Sequence, residues 1–279
     1  MNNASVTGAL IRDTFREALA RKVFWAFFIS STTLLIFFLL IMRIDVVQGI
    51  VASVTVFGQQ GHAHAGVSAE QMVMTAQSGL SGFLYVVGMG LAIFASAGLI
   101  AAVFEPGRVE LLLSKPLARY QILLGRYLGN LLIVAANLFY LVFGFWVIFG
   151  YKTGVWRPHL LMAAVVTLAV FAVMLAFILL TAVLYESAAV SILASFALAV
   201  FSSVLAAKPM LERLLASEWS RNIVRFLYYL FPKLPDCATI MTKIVTGVRV
   251  ENWMPLWSTA LFGIVMLGTG LWVFSRRNF

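Results

Sequence analysis

The amino-acid sequence predicts an all-α membrane protein with six transmembrane helices, and three observations carry that prediction. Of 279 residues, 62% are apolar and only 11% charged, with a mean hydropathy of +0.97. Soluble proteins carry roughly 25% charged residues, so a soluble domain of this length could not cover itself with polar surface. Six apolar segments approach the roughly 20 residues that a helix needs to cross about 30 Å of hydrocarbon, and none of them contains Asp, Glu, Lys or Arg. The same composition excludes a disordered chain, a disulfide-stapled secreted scaffold and a nucleic-acid-binding domain. The lone Cys237 permits no intrachain disulfide. The net charge of +9 sits mostly between apolar runs, where topology signals and anionic lipid headgroups account for it.

Taken in chain order, residues 6–22 open the pattern. Val6, Leu10, Ile11, Phe15 and Leu19 recur at helical spacing, with Arg12, Asp13, Arg16, Glu17 and Arg21 between them. That pattern predicts an amphipathic helix lying in the membrane interface. The spans follow at residues 23–42, 80–104, 127–149, 160–184, 188–207 and 256–274, the fifth being the least apolar. The first is longer than the roughly 7–15 residues of a signal-peptide core, so it reads as a retained helix.

Between the fifth and sixth spans, residues 208–255 carry Leu211, Leu214, Leu215, Trp219, Ile223, Phe226, Leu227 and Leu230 at helical spacing. Glu212, Arg213, Glu218, Arg221 and Arg225 mark the opposite face, which predicts an amphipathic external helix. Pro232 and Pro235 break it, and residues 237–245 form a second short helix. The first helix has two open readings: an interfacial helix, or a gate on a substrate path.

Orientation rests on the flanks of the first span, with four cations before it and Arg43 after it. Counted over the whole chain, these flanks included, the cations divide ten against ten between the two sides. Because the first span usually dominates, both termini are expected in the cytoplasm.

The spans hold no ionisable group for a proton or ion relay, which disfavours an ion-coupled carrier. Asn137, the most polar residue deep in a span, reads as a helix–helix hydrogen bonder. No GxxxxGK[ST], HExxH, GxSxG or CxxC pattern occurs, so the chain offers neither its own P-loop nor a recognisable catalytic centre. His62 and His64, in the Gly-rich first external loop, are the only candidates for metal. Two imidazoles are too few for a structural site without further ligands. Gly125 and Gly129 either permit a close helix approach or ease a bend into the third span. Trp25, Trp146, Trp156, Trp253, Trp257 and Trp272 lie near span ends, as interfacial anchors do.

The loop between the second and third spans is the most informative stretch. Pro106-Gly107 ends the second span in a turn, and Arg108 to Leu113 forms a short amphipathic segment. Pro116 pushes Lys115 out of the helical region, and Ser114 can cap a new helix that tolerates Pro116 in its first turn. With Arg119 and Arg126 at headgroup level, the result is a stiff basic elbow feeding the third span.

This stretch, which reads ELLLSKPLARYQILLGRYLG over residues 110–129, resembles the first coupling helix of ABC-2 type ABC transporter permeases. The interfacial helix, the six spans, a tight second turn at Leu184-Tyr185-Glu186-Ser187 and the external helices before the last span agree with that family's architecture. Within it, Phe231-Pro232-Lys233 is most similar to permeases of multicopper-enzyme maturation systems.

The resemblance implies a single transmembrane domain over residues 1–279, with a cytoplasmic coupling helix in the elbow at 105–126. It implies the permease subunit of an exporter in a prokaryotic cell (inner) membrane, paired with a second permease copy in a homodimer or heterodimer and surrounded by lipid. ATP and Mg²⁺ belong to a separate cytosolic ATPase, and this chain carries no catalytic residue or cofactor of its own. The coupling residues that it implies are Glu105, Gly107, Arg108, Glu110, Ser114, Lys115, Pro116, Arg119, Gln121, Gly125, Arg126 and Glu186. A non-transporting scaffold that recruits a cytosolic partner fits the empty spans as well, and ATP-driven movement of a substrate discriminates the two.

Overall fold

The computed structural model describes residues 22–47, 50–56, 59–61, 68–104, 119–215 and 217–276. The expected interfacial helix at 6–22 lies outside them apart from Lys22. The elbow before Arg119, and His62 and His64, also lie outside.

Helices run through all six apolar segments. α1 covers Lys22–Ile41. The second crossing is a continuous 36-residue rod made of α2 (Ala69–Phe83), a π-helical segment (Leu84–Gly88), α3 (Met89–Ala101) and a 3₁₀ turn (Ala102–Phe104). α4 (Arg119–Thr153), α5 (His159–Tyr185) and α6 (Ala188–Ala206) follow. Three short helices, α7 (Lys208–Leu214), α8 (Glu218–Leu230) and α9 (Leu234–Thr246), precede the last crossing, α10 (Met254–Arg276). The spanning architecture is all-helical. The first inter-span connection adds a small antiparallel sheet, β1 (Met42–Val47), β2 (Ile50–Val56) and β3 (Gln59–Gly61), paired in that order. The β-branched Ile50, Val51, Val54, Thr55 and Val56 of β2 suit a strand.

Several helices overrun their apolar cores. The second rod starts at Ala69 because Ser68 caps it, its side chain accepting from Gln71 N at 3.2 Å. Across the bundle, Arg157 Nη1 lies 2.8 Å from Glu70 Oε1 and ties the start of this rod to the start of α5.

Side-chain pairings fix the directions. α1 runs parallel to α4, with Ser31 bonded to Asn137, Phe38 against Phe145 and Lys152 Nζ on Leu39 O. α10 runs parallel to α5, with Gly263 beside Val173 and Gly270 beside Leu179. The 3₁₀ turn that ends the second rod meets α10 through Phe104 and Phe274. Lys22, Phe104, Arg119, Glu186 and Arg276 therefore share one end of the bundle, the elbow end. The sheet and α7–α9 lie at the other, the cap end.

α5 is the hub. It is apolar all round, as a helix buried on every side must be, and it touches α3, α4, α6, α9 and α10. Lipid is as apolar as leucine, so these helices gain little from leaving it and are held by close packing instead. The contact with α10 depends on two glycines. A Cβ at Gly263 would meet Val173 Cγ2 at 2.8 Å and its Cα at 3.1 Å, and one at Gly270 would meet Leu179 Cδ2 at 2.7 Å. Gly263→Leu should therefore destabilise the detergent-solubilised protein by about 1–3 kcal/mol, read as a lowered Tm. An unchanged Tm would mean that this approach is not tight.

Candidate functional site

Three places in the fold can carry function: the elbow end, the cap end, and a lateral groove between them.

At the elbow end, α4 starts at Arg119 and runs unbroken past Gly125 and Gly129, both of which are buried. Gln121 and Arg126 are 8% and 6% exposed, so their side chains engage groups within the bundle. The α5–α6 turn lies at the same end. Glu186 caps α5 in the left-handed region (φ 54°, ψ 24°), its N–H donating to Ala182 O at 2.8 Å. Ser187 then caps α6, its Oγ accepting from Val190 N. Left-handed backbone costs a non-glycine residue roughly 1–2 kcal/mol, a cost that a glycine at this position would avoid. The Glu186 carboxylate is exposed at the bundle end. Of the twelve residues in the coupling set, the structure brings Gln121, Gly125, Arg126 and Glu186 to one end, with the backbone of Arg119. Glu105, Gly107, Arg108, Glu110, Ser114, Lys115 and Pro116 lie outside the described residues.

At the cap end, the expected single amphipathic helix is split in two. Leu215 turns extended, and α8 restarts at Glu218. Arg221 Nε donates to Leu215 O at 2.9 Å, satisfying the carbonyl at the break. Arg225 Nε reaches Glu212 Oε1 at 2.8 Å and straps α8 to α7. That hydrogen bond also holds the Glu212 carboxyl below its ordinary range. Neither helix buries a residue, and Leu214, Trp219 and Phe226 are exposed. These are properties of helices that lie in an interface.

Side chains from three crossings hold the backbone of the turn that follows with four hydrogen bonds. Ser202 Oγ, from α6, donates to Pro232 O at 2.7 Å and accepts from Leu234 N at 3.0 Å. Thr259 Oγ1, from α10, accepts from Lys233 N at 2.9 Å, and Tyr85 OH, from the π-helical segment, donates to Leu234 O at 2.7 Å. Lys233 Nζ donates to Ser258 Oγ at 2.8 Å and sits 4.8 Å from the centre of the Tyr228 ring. Burial pushes the Lys233 ammonium below the usual lysine range. Burial also pushes the Tyr228 hydroxyl up, aided by its hydrogen bond to Asp236 at 2.6 Å. The Phe231-Pro232-Lys233 run thus has a packing role in joining three spans. Removing the Ser202 hydroxyl leaves a buried N–H and a buried carbonyl short of a partner. Ser202→Ala should cost about 1–3 kcal/mol and make the turn at residues 231–234 more susceptible to limited proteolysis.

Cys237 lies one turn further on, 0% exposed, with its thiol pushed up to about 11 by burial. At about pH 8 it should react with a thiol reagent at least about a hundredfold more slowly in the folded protein than after denaturation. Equal rates would place α9 in a different packing.

The groove is a cavity of about 880 Å³ between α1, the second rod and α4, with Thr167 and Phe171 of α5 on its floor. Asn137 stands in its wall and accepts from Ser31 Oγ at 2.9 Å, so its helix–helix role is observed. Asn130, which sequence reasoning passed over, is more deeply buried and bonded to Ser96. Ser202, Thr259 and Tyr85 were missed as well. Each is an ordinary span residue until its backbone partner, far away in sequence, is known.

The bundle of apolar crossings defines a multi-pass membrane protein. Residues 9–279 match the family described as ABC-2 family transporter protein. The chain belongs to that family and is an ABC-2 type permease. No curated protein matches it.

Proposed function

We propose that the chain is the membrane subunit of an ATP-driven exporter, in which a separate cytosolic ATPase supplies ATP, Mg²⁺ and hydrolysis. The elbow end is its docking face and hence the cytoplasmic face of the cell membrane, with both termini on that side. The match of residues 9–279 to the ABC-2 transporter family carries the reading, and Glu186, exposed at the elbow end in left-handed backbone, is a candidate contact there. The basic elbow and the exposed Glu186 together offer both signs of charge to an incoming surface.

Transmission runs through α4. Its 35 residues form one rod about 52 Å long from the elbow to the cap end. A packed helix shifts as a unit, so a push at the elbow reaches the seam with α1 at Ser31–Asn137 and Thr32–Tyr140. A second permease copy related by a two-fold axis completes the pathway, as closed symmetry favours.

Affinity purification of the tagged protein from mild detergent tests this. The intact chain should bring down an ATPase subunit, and a Glu110→Lys, Arg119→Glu double variant should lose it while still inserting. Failure to recover any ATPase from the intact chain under conditions that keep such complexes together would favour the scaffold reading. Glu186→Gly should leave stability unchanged or raise it by up to about 1 kcal/mol, because glycine suits the left-handed turn. The same variant should lower substrate-stimulated ATP hydrolysis in the assembled complex. Full activity would remove Glu186 from the coupling set.

A further inference from the structure

We propose that the groove between α1, the second rod and α4 binds a neutral, single-chain lipid carrying a hydroxyl or ester oxygen, taken from the bilayer. As a statement about transported cargo this rests on the exporter reading; as a statement about binding it does not.

Four observations carry it. The groove is long and narrow: on the second rod it extends from Phe83 to Leu99, about 24 Å at helical rise. Its volume of about 880 Å³ suits one ligand of lipid size. No ionisable residue lines it, so a phosphate or ammonium headgroup would enter without a countercharge and lose its hydration.

The polar groups that do line it are Ser30, Ser31 and Thr33 of α1, Asn130 and Asn137 of α4, and Thr167 of α5. Asn137 uses its Oδ1 to accept from Ser31. Its amide nitrogen has no hydrogen-bond partner among the described residues and is left to donate to a ligand oxygen. Finally, α1 packs chiefly on α4 and not on the second rod. The side between α1 and the rod is flanked by lipid-facing residues such as Val87 and Phe94, so access is lateral, from hydrocarbon.

Gly98 provides the test. It lines the groove, and a Cβ built on it meets nothing within 4 Å. Gly98→Phe should therefore block the elbow-end part of the groove, and with it a lipid that occupies its full length, without disturbing the packing. Native mass spectrometry of the full chain is read with three added probes: monoolein, oleoyl lysophosphatidic acid and squalene. The wild type should retain one monoolein per chain, and Gly98→Phe should lose it at unchanged Tm. Asn137→Leu should weaken monoolein retention while leaving squalene, which has no oxygen, unaffected. Lysophosphatidic acid should not be retained.

Equal monoolein retention by the wild type and Gly98→Phe would overturn the proposal. So would retention of lysophosphatidic acid that Gly98→Phe abolishes, or a change of oligomeric state in that variant with retention intact. Monoolein retention that Gly98→Phe abolishes upholds the groove even if no ATPase is recovered, in which case only the exporter reading fails. An ATPase recovered without monoolein retention removes the groove alone.

Discussion

A chain that stops being helical against a packed bundle must hand its backbone hydrogen bonds to other groups, because no water is there to take them. In this protein that moment comes between Phe231 and Leu234. Pro232 cannot donate, and the two N–H groups after it go to Ser202 and Thr259. Two carbonyls go to Ser202 and Tyr85. The partners come from the second, fifth and sixth crossings, so satisfying one turn locks three spans together at the cap end. α9 follows directly from that turn and packs its Cys237 face against α5.

The elements that this turn joins surround α5, and α1 is left at the rim. Its attachment is a narrow seam of polar and aromatic contacts along α4, including Ser31–Asn137 and the stacked rings of Phe28 and Tyr140. The groove exists because α1 is held on one side only. The π-helical segment links it to the cap. Inserting an extra residue in a helix turns the side chains on either side of it. Here Tyr85 reaches Leu234 while Val87 and Gly88 line the groove. A ligand that pressed on this segment would thus press on the turn that holds the cap.

Much of the fold was legible in the sequence because hydrocarbon imposes length and apolarity on anything that crosses it. The ends of the rods were not, since hydropathy stops where helices need not. Glu70, Gln71 and Gln77 lie on the helix that Ser68 caps, yet they ended the apolar run. The split between α7 and α8 was hidden because the apolar period continues across it. The small sheet gave only a weak signal, a β-branched stretch in a connection that carries no long-range pattern.

The sequence by itself determined that this chain carries six apolar segments, that none of them holds a charge, and that a basic stretch precedes the third. Those features follow from the solvent and need no partner. It also singled out Asn137, since an amide deep in a span must find a hydrogen bond. Tertiary structure alone decided which hydroxyls hold the Pro232 turn, that Glu186 sits in strained backbone, and that Gly98 faces open space. Each depends on groups brought together from distant parts of the chain, and helical periodicity records only which face a residue occupies, not what that face meets.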